Sequence, residues 1–111
     1  MSVKQLLLLL QSKQIDFKDV LTHISEHYIY TPTSFYNGNL HNTTDQNQGS
    51  AKVLFFAQLH DLSEEQTLQL FAEHYNHVIA SPLGIDHQNI RQFMQMGWNG
   101  VKFENTVLRP K

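Results

Sequence analysis

Seven histidines among 111 residues are the side chains best suited to chemistry here, because imidazole both ligates metals and moves protons near neutral pH. His23, Glu26 and His27 spell H-x-x-E-H, the zinc pattern of inverted metalloproteases. In that pattern two imidazoles one helical turn apart hold the ion and the carboxylate activates water. The chemistry also needs a third ligand far downstream and a larger fold. His27 borders the apolar stripe of its helix and His23 lies further toward solvent, which fits an ordinary surface pair. His74 and His77, beside Glu73, make a second cluster. On one straight helix His77 points away from the core face and His74 flanks it, as solvated or packing histidines do.

Asp86 is a natural N-cap, which places His87 in the first turn of a helix, where the positive end of the dipole disfavours an imidazolium. A neutral ring there can act as base or ligand. Arg91, one turn on, shares its face and can bind an anion beside the free N–H groups. The competing reading has Asp86 satisfying those N–H groups and Arg91 pairing with a surface carboxylate. Lys52, near the start of a helix expected from Ser50, has the same two readings, anion binder or solvated lysine. No glycine-rich phosphate loop, G-x-S-x-G elbow or paired-carboxylate pattern is present. No cofactor or metal is implied.

These residues need elements to hold them. Ser2 with Gln5 has the form of a capping box, and Val3, Leu6, Leu7 and Leu10 follow at helical spacing, which predicts a helix over 3–12. Asp16 caps the next, with Phe17, Val20, Leu21, Ile24 and Tyr28 on its inner face, and Thr31-Pro32 stops it. Residues 32–49 turn polar and read as one long loop, with a turn at Asn37-Gly38; a loop of that length in a compact domain tends to be functional or mobile. Ser50 is expected to cap a buried helix to His60. The segment Val53–Ala57 also reads as a strand by periodicity, and its length favours helix. Ser63 with Gln66 opens a long helix to about Ala80, its core face at Leu68, Phe71, Ala72, Tyr75 and Ile79. A last helix from Asp86 ends at Gly97 in a left-handed cap. Trp98 to Phe103 reads as an extended piece pinned to the body, and residues 105–111 as a loose tail. The expected fold is therefore all-α: about five helices around one core, with a long polar loop between the second and third.

Composition narrows the function classes. The chain has the size of a single domain, residues 1–111, and 41% apolar residues with 7 Phe, 4 Tyr and 1 Trp suffice for one core. A formal net charge of -2 offers no basic footprint, so nucleic acid is not an expected partner. The absence of cysteine removes disulfides, thiolate nucleophiles and zinc–thiolate sites, and fits a reducing compartment. The apolar run Leu6–Leu10 is too short for a membrane span or a signal peptide, so membrane insertion is not expected.

Several motifs in register carry a resemblance. Tyr30-Thr31-Pro32-Thr33-Ser34-Phe35-Tyr36-Asn37-Gly38, Gly49-Ser50-Ala51-Lys52-Val53, Phe56-Ala57-Gln58-Leu59, Leu62-Ser63-Glu64, Glu73-His74-Tyr75, the stretch Asp86 to Met94 and Gly97-Trp98-Asn99-Gly100-Val101 resemble the HopJ type III effector family, over about Phe17 to Phe103. The resemblance implies a bacterial origin and delivery into a host cell, without implying an activity. The recurrent polar positions it brings to this chain are Asn37, Ser50, Lys52, His74, Asp86, His87, Asn89 and Arg91. An ordered, Leu-rich first helix departs from the flexible, polar N-terminus usual for type III export.

Two functions follow as expectations. One is an interaction module delivered to host cells, presenting an exposed apolar patch to a host protein. The other is a resident of the bacterial cytoplasm that binds a small anionic ligand where the 32–49 loop meets the last helix, with or without catalysis.

Overall fold

The computed structural model describes residues 1–111. Six helices, α1 (Val3–Gln11), α2 (Phe17–His27), α3 (Gln48–Leu59), α4 (Glu64–Gln69), α5 (Glu73–Ala80) and α6 (Gln88–Met96), alternate with five short strands. The strands are β1 (Tyr28–Tyr30), β2 (Phe35–Asn37), β3 (Leu40–Asn42), β4 (Val101–Phe103) and β5 (Leu108–Pro110), with a 3-10 turn at Gly97–Gly100 before β4. The fold is thus α+β and not all-α. The expected polar loop contains the β2–β3 hairpin, which turns through Gly38 at positive φ.

β2 is the centre of a three-stranded antiparallel sheet in the order β3-β2-β4, with Phe35 opposite both Asn42 and Phe103. Phe35 is fully buried and its ring stacks on Phe103 at 5.6 Å. The extended piece after Gly97 is therefore a strand. The expected loose tail is also ordered: β5 pairs antiparallel with β1, and Val107 and Leu108 are buried beneath it. Strands of three residues offer too few alternations to register as a period-2 pattern; β1, β4 and β5 depend on partners distant in sequence, while β2 and β3 meet across the turn at Gly38.

The helix starts divide into two kinds. Ser2–Gln5, Asp16–Asp19 and Ser63–Gln66 all form complete capping boxes, because side chains of the right length sit three residues apart. α3, α5 and α6 instead start from Asn47, Ala72 and His87 with no side-chain cap, Asn47 and His87 in the left-handed region. Ser50 and Asp86 are therefore not the caps the sequence suggests. Ser50 lies within the first turn of α3, and Asp86 precedes the N-cap of α6.

α3 runs through the core, burying Ala51, Val53, Leu54, Phe56 and Ala57. The long helix expected over 63–80 breaks between α4 and α5 at Ala72, which adopts φ 52, ψ -124. The break lets Leu68, Leu70 and Phe71 all reach the core, which one straight helical face cannot do. It also rotates α5, so that Val78 is buried and Ile79, expected inside, is 54% exposed.

Candidate functional site

That rotation decides where the histidines go. His74 and His77, three apart on α5, share a face, and this face turns toward the N-terminus of α6. The loop between the two helices is held by Arg91, whose guanidinium donates to the main-chain oxygens of Ser81 at 2.9 Å and Asp86 at 2.6 Å, and to Asp86 Oδ1 at 2.7 Å. The same hydrogen bond holds the Asp86 carboxyl below the usual carboxylate range. With the loop closed this way, His87 sits at φ 50, ψ 48, a conformation uncommon outside glycine, asparagine, aspartate and histidine.

The three rings converge. Ring centroids lie 5.0 Å apart for His74–His87, 6.1 Å for His77–His87 and 6.4 Å for His74–His77. One ring nitrogen from each lies within 4.8 Å of the others. His74 also meets the edge of Phe17 at 4.8 Å, and its Nδ1 is buried without a hydrogen-bond partner. Asp86 Oδ2 approaches His87 Nε2 at 4.0 Å.

Beside the cluster is a cavity of about 460 Å³, with Phe17, Phe71 and Ile90 among its apolar lining. Gly49 and Ser50 from the first turn of α3, and Gln88 and Asn89 from the first turn of α6, line it too. So do His74, Asp86 and His87. Phe17 is pinned at one side because its N–H donates to Glu73 Oε1 at 2.8 Å.

The N-terminus of α6 rests on a buried amide network. Asn37 Nδ2 donates to both the main-chain oxygen and Oδ1 of Asn89, at 2.8 and 3.0 Å. Asn89 and Asn42 exchange hydrogen bonds at 3.1 and 3.3 Å, and Asn47 donates to Asn42 Oδ1 at 2.7 Å. The β2–β3 hairpin is thus tied to the starts of both α3 and α6, the two helices that open on the cavity.

Of the residues singled out from sequence, Ser50, His74, Asp86, His87 and Asn89 line this one cavity, and Asn37 supports it from beneath. Arg91 is not among the lining residues; it is committed to Asp86 and the loop carbonyls. Lys52 lies elsewhere, its Nζ 4.3 Å from the centroid of the Tyr30 ring. His77 joins the cluster although the straight-helix reading turned it to solvent; the His-x-x-His spacing was the available signal. In the H-x-x-E-H pattern His23, expected toward solvent, is the buried member, and His27 is exposed. His23 is buried edge-on to Phe56 at 5.8 Å, with His27 at 4.4 Å. Burial first, then the neighbouring His27, lowers the His23 pKa.

The sequence model for HopJ type III effector protein matches residues 3–108. The chain belongs to the HopJ type III effector family. The fold is also that of a solved relative, the crystal structure of the unknown function protein VPA0580, with a TM-score of 0.90 and 39% identity over 100% of this chain and 95% of that one. A comparison with curated proteins finds no match. No helix of this HopJ chain is long and apolar enough to cross a membrane.

Proposed function

We propose that this HopJ domain binds a small ligand through an anionic group, phosphate or carboxylate, held in the cavity between the starts of α3 and α6. The observation that carries the reading is that two helices without side-chain caps begin at the same cavity. The first-turn N–H groups of Gly49, Ser50, Gln88 and Asn89 have no partner within the protein, whereas in α1, α2 and α4 a capping box satisfies the N–H of the third helical residue. Each free helix start adds about half a positive charge, and backbone N–H groups bind anions without a lysine or arginine. The buried, unpartnered Nδ1 of His74 adds a further polar group at the same place. Arg91 acts by fixing the loop, and Lys52 takes no part.

Ser50→Asp tests the reading. A carboxylate in the first turn of a helix is favourable for folding, yet here it occupies the place of the ligand. Inorganic phosphate is expected to raise the melting temperature of the wild-type chain and to leave Ser50→Asp unchanged. Equal stabilisation of both would remove the site.

A host-protein interaction is a second reading, favoured by Leu83 and Ile85, which are 96% and 85% exposed on the loop before α6, with Ile79 and Met94 about half exposed nearby. Family membership adds the expectation of delivery from the bacterial cytoplasm by a type III system. A reporter fused to this chain is expected to enter host cells only from bacteria with a working apparatus; entry that ignores the apparatus would contradict delivery.

A further inference from the structure

The geometry points to a metal site: we propose that His74, His77 and His87 together bind one divalent transition-metal ion of the zinc class. The metal site does not require an anion in the cavity.

None of the three rings makes a hydrogen bond within the protein. His60 shows the ordinary alternative, since it satisfies a ring nitrogen with Tyr28 Oη at 2.7 Å. His74 Nδ1 is buried with no partner, and a buried polar atom left unpaired calls for a partner such as an ion. Two of the rings sit at i and i+3 of one helix, a spacing that lets both reach a single ion, and the third is delivered by a residue held in the left-handed region.

Distances allow the site. A tetrahedral ion with bonds of about 2.0–2.1 Å needs its nitrogens roughly 3.3 Å apart. The present nitrogens lie within 4.8 Å of one another, so modest ring rotations close the gap. His77 is exposed at the end of the set and free to make them.

The donors choose the metal class. Three imidazoles without thiolate or carboxylate suit Zn²⁺, Co²⁺, Ni²⁺ or Cu²⁺, and not Ca²⁺ or Mg²⁺, which demand oxygen. Three protein ligands also leave a fourth position open, the arrangement of sites that hold water or substrate on the metal. Here His74 and His87 both line the cavity, so the open position has room for a solvent molecule or a ligand atom.

The test is a titration of the untagged full-length chain with Co²⁺, followed by Zn²⁺ displacement, in a buffer free of phosphate and sulfate. A ligand-field spectrum of low-coordinate Co²⁺ at one ion per chain, bleached by Zn²⁺, is the expected result. His77→Gln, at an exposed helix position, and His87→Gln are expected to weaken binding by at least on the order of 100-fold, since even outer-shell partners of metal ligands are worth 10–100-fold. His27→Gln is expected to bind as the wild type does. No wild-type spectrum, wild-type affinity in His77→Gln, or loss in His27→Gln instead would each overturn the proposal. Phosphate stabilisation of a chelator-treated chain reports separately on the anion reading, so either idea can fail alone.

Discussion

Arg91 binds Asp86 twice, through the main-chain oxygen at 2.6 Å and the carboxylate at 2.7 Å, and thereby fixes the residue immediately before His87. The Arg91 side chain is only 11% exposed and also reaches Ser81. The planar fork holds several acceptors at once, a geometry an ammonium cannot copy. Arg91→Ala and Arg91→Lys are therefore both expected to speed amide hydrogen exchange across residues 81–87 and to lower the denaturation midpoint. Asp86→Ala is expected to cost less, because its exposed carboxylate supplies one of several acceptors. An exchange map unchanged in Arg91→Ala would contradict the clamp.

The amide network under α6 is expected to be sensitive to truncation. Asn89→Ala removes the acceptor shared by Asn37 and Asn42 and the donor to Asn42. Leaving such buried groups unpaired costs about 2–3 kcal/mol. Urea denaturation measures it, and a loss under about 0.5 kcal/mol, the scale of an ordinary surface substitution, would show that the network is not holding the helix.

Ala72 occupies a backbone region that glycine enters without steric cost. Ala72→Gly is expected to raise stability by about 1 kcal/mol through relief of that strain. Ala57→Gly, inside α3, is expected to lower it by about 1 kcal/mol or more. Opposite signs for the same chemical change, read by denaturant titration, identify the break between α4 and α5.

Acid is expected to weaken the fold through His23 and His60. Both have pKa values lowered from 6.5, first by burial, so the native state holds them neutral more firmly than the unfolded chain does. Below about pH 6.5 the unfolded chain therefore binds more protons, and stability falls as pH drops toward the native-state values. The contribution is complete above pH 6.5. Melting temperatures between pH 7.5 and 5, in chelator, are expected to fall less steeply for His23→Gln; identical slopes would contradict the assignment.

Much of the helical layout was legible because it is written locally. Ser2–Gln5 and Ser63–Gln66 announce their helices through three-residue spacings, and the apolar run of α3 reads as a buried helix. The sheets were hidden because Phe35 meets Phe103 and Tyr30 meets Leu108 through pairings distant in sequence, and the turn at Asn37-Gly38 was the one local signal, for the hairpin that pairs Phe35 with Asn42. The site was half visible. Ser50, His74, Asp86, His87 and Asn89 could be picked out one by one, but their meeting, and the entry of His77, depend on the turn at Ala72. Periodicity continued through that residue as though the helix were straight. Arg91 was legible as a cation near a helix start, while its partner was set by loop closure.

The starts of α3 and α6 are proposed to form one anion site, whose amides can report on it directly. The measurement is a phosphate titration of the ¹⁵N-labelled chain followed by proton–nitrogen correlation spectra. Saturable shifts with a common affinity at Gly49, Ser50, Gln88 and Asn89, absent in Ser50→Asp, are the expected result. Shifts that never saturate, or that gather around Leu83 and Ile85 instead, would contradict it.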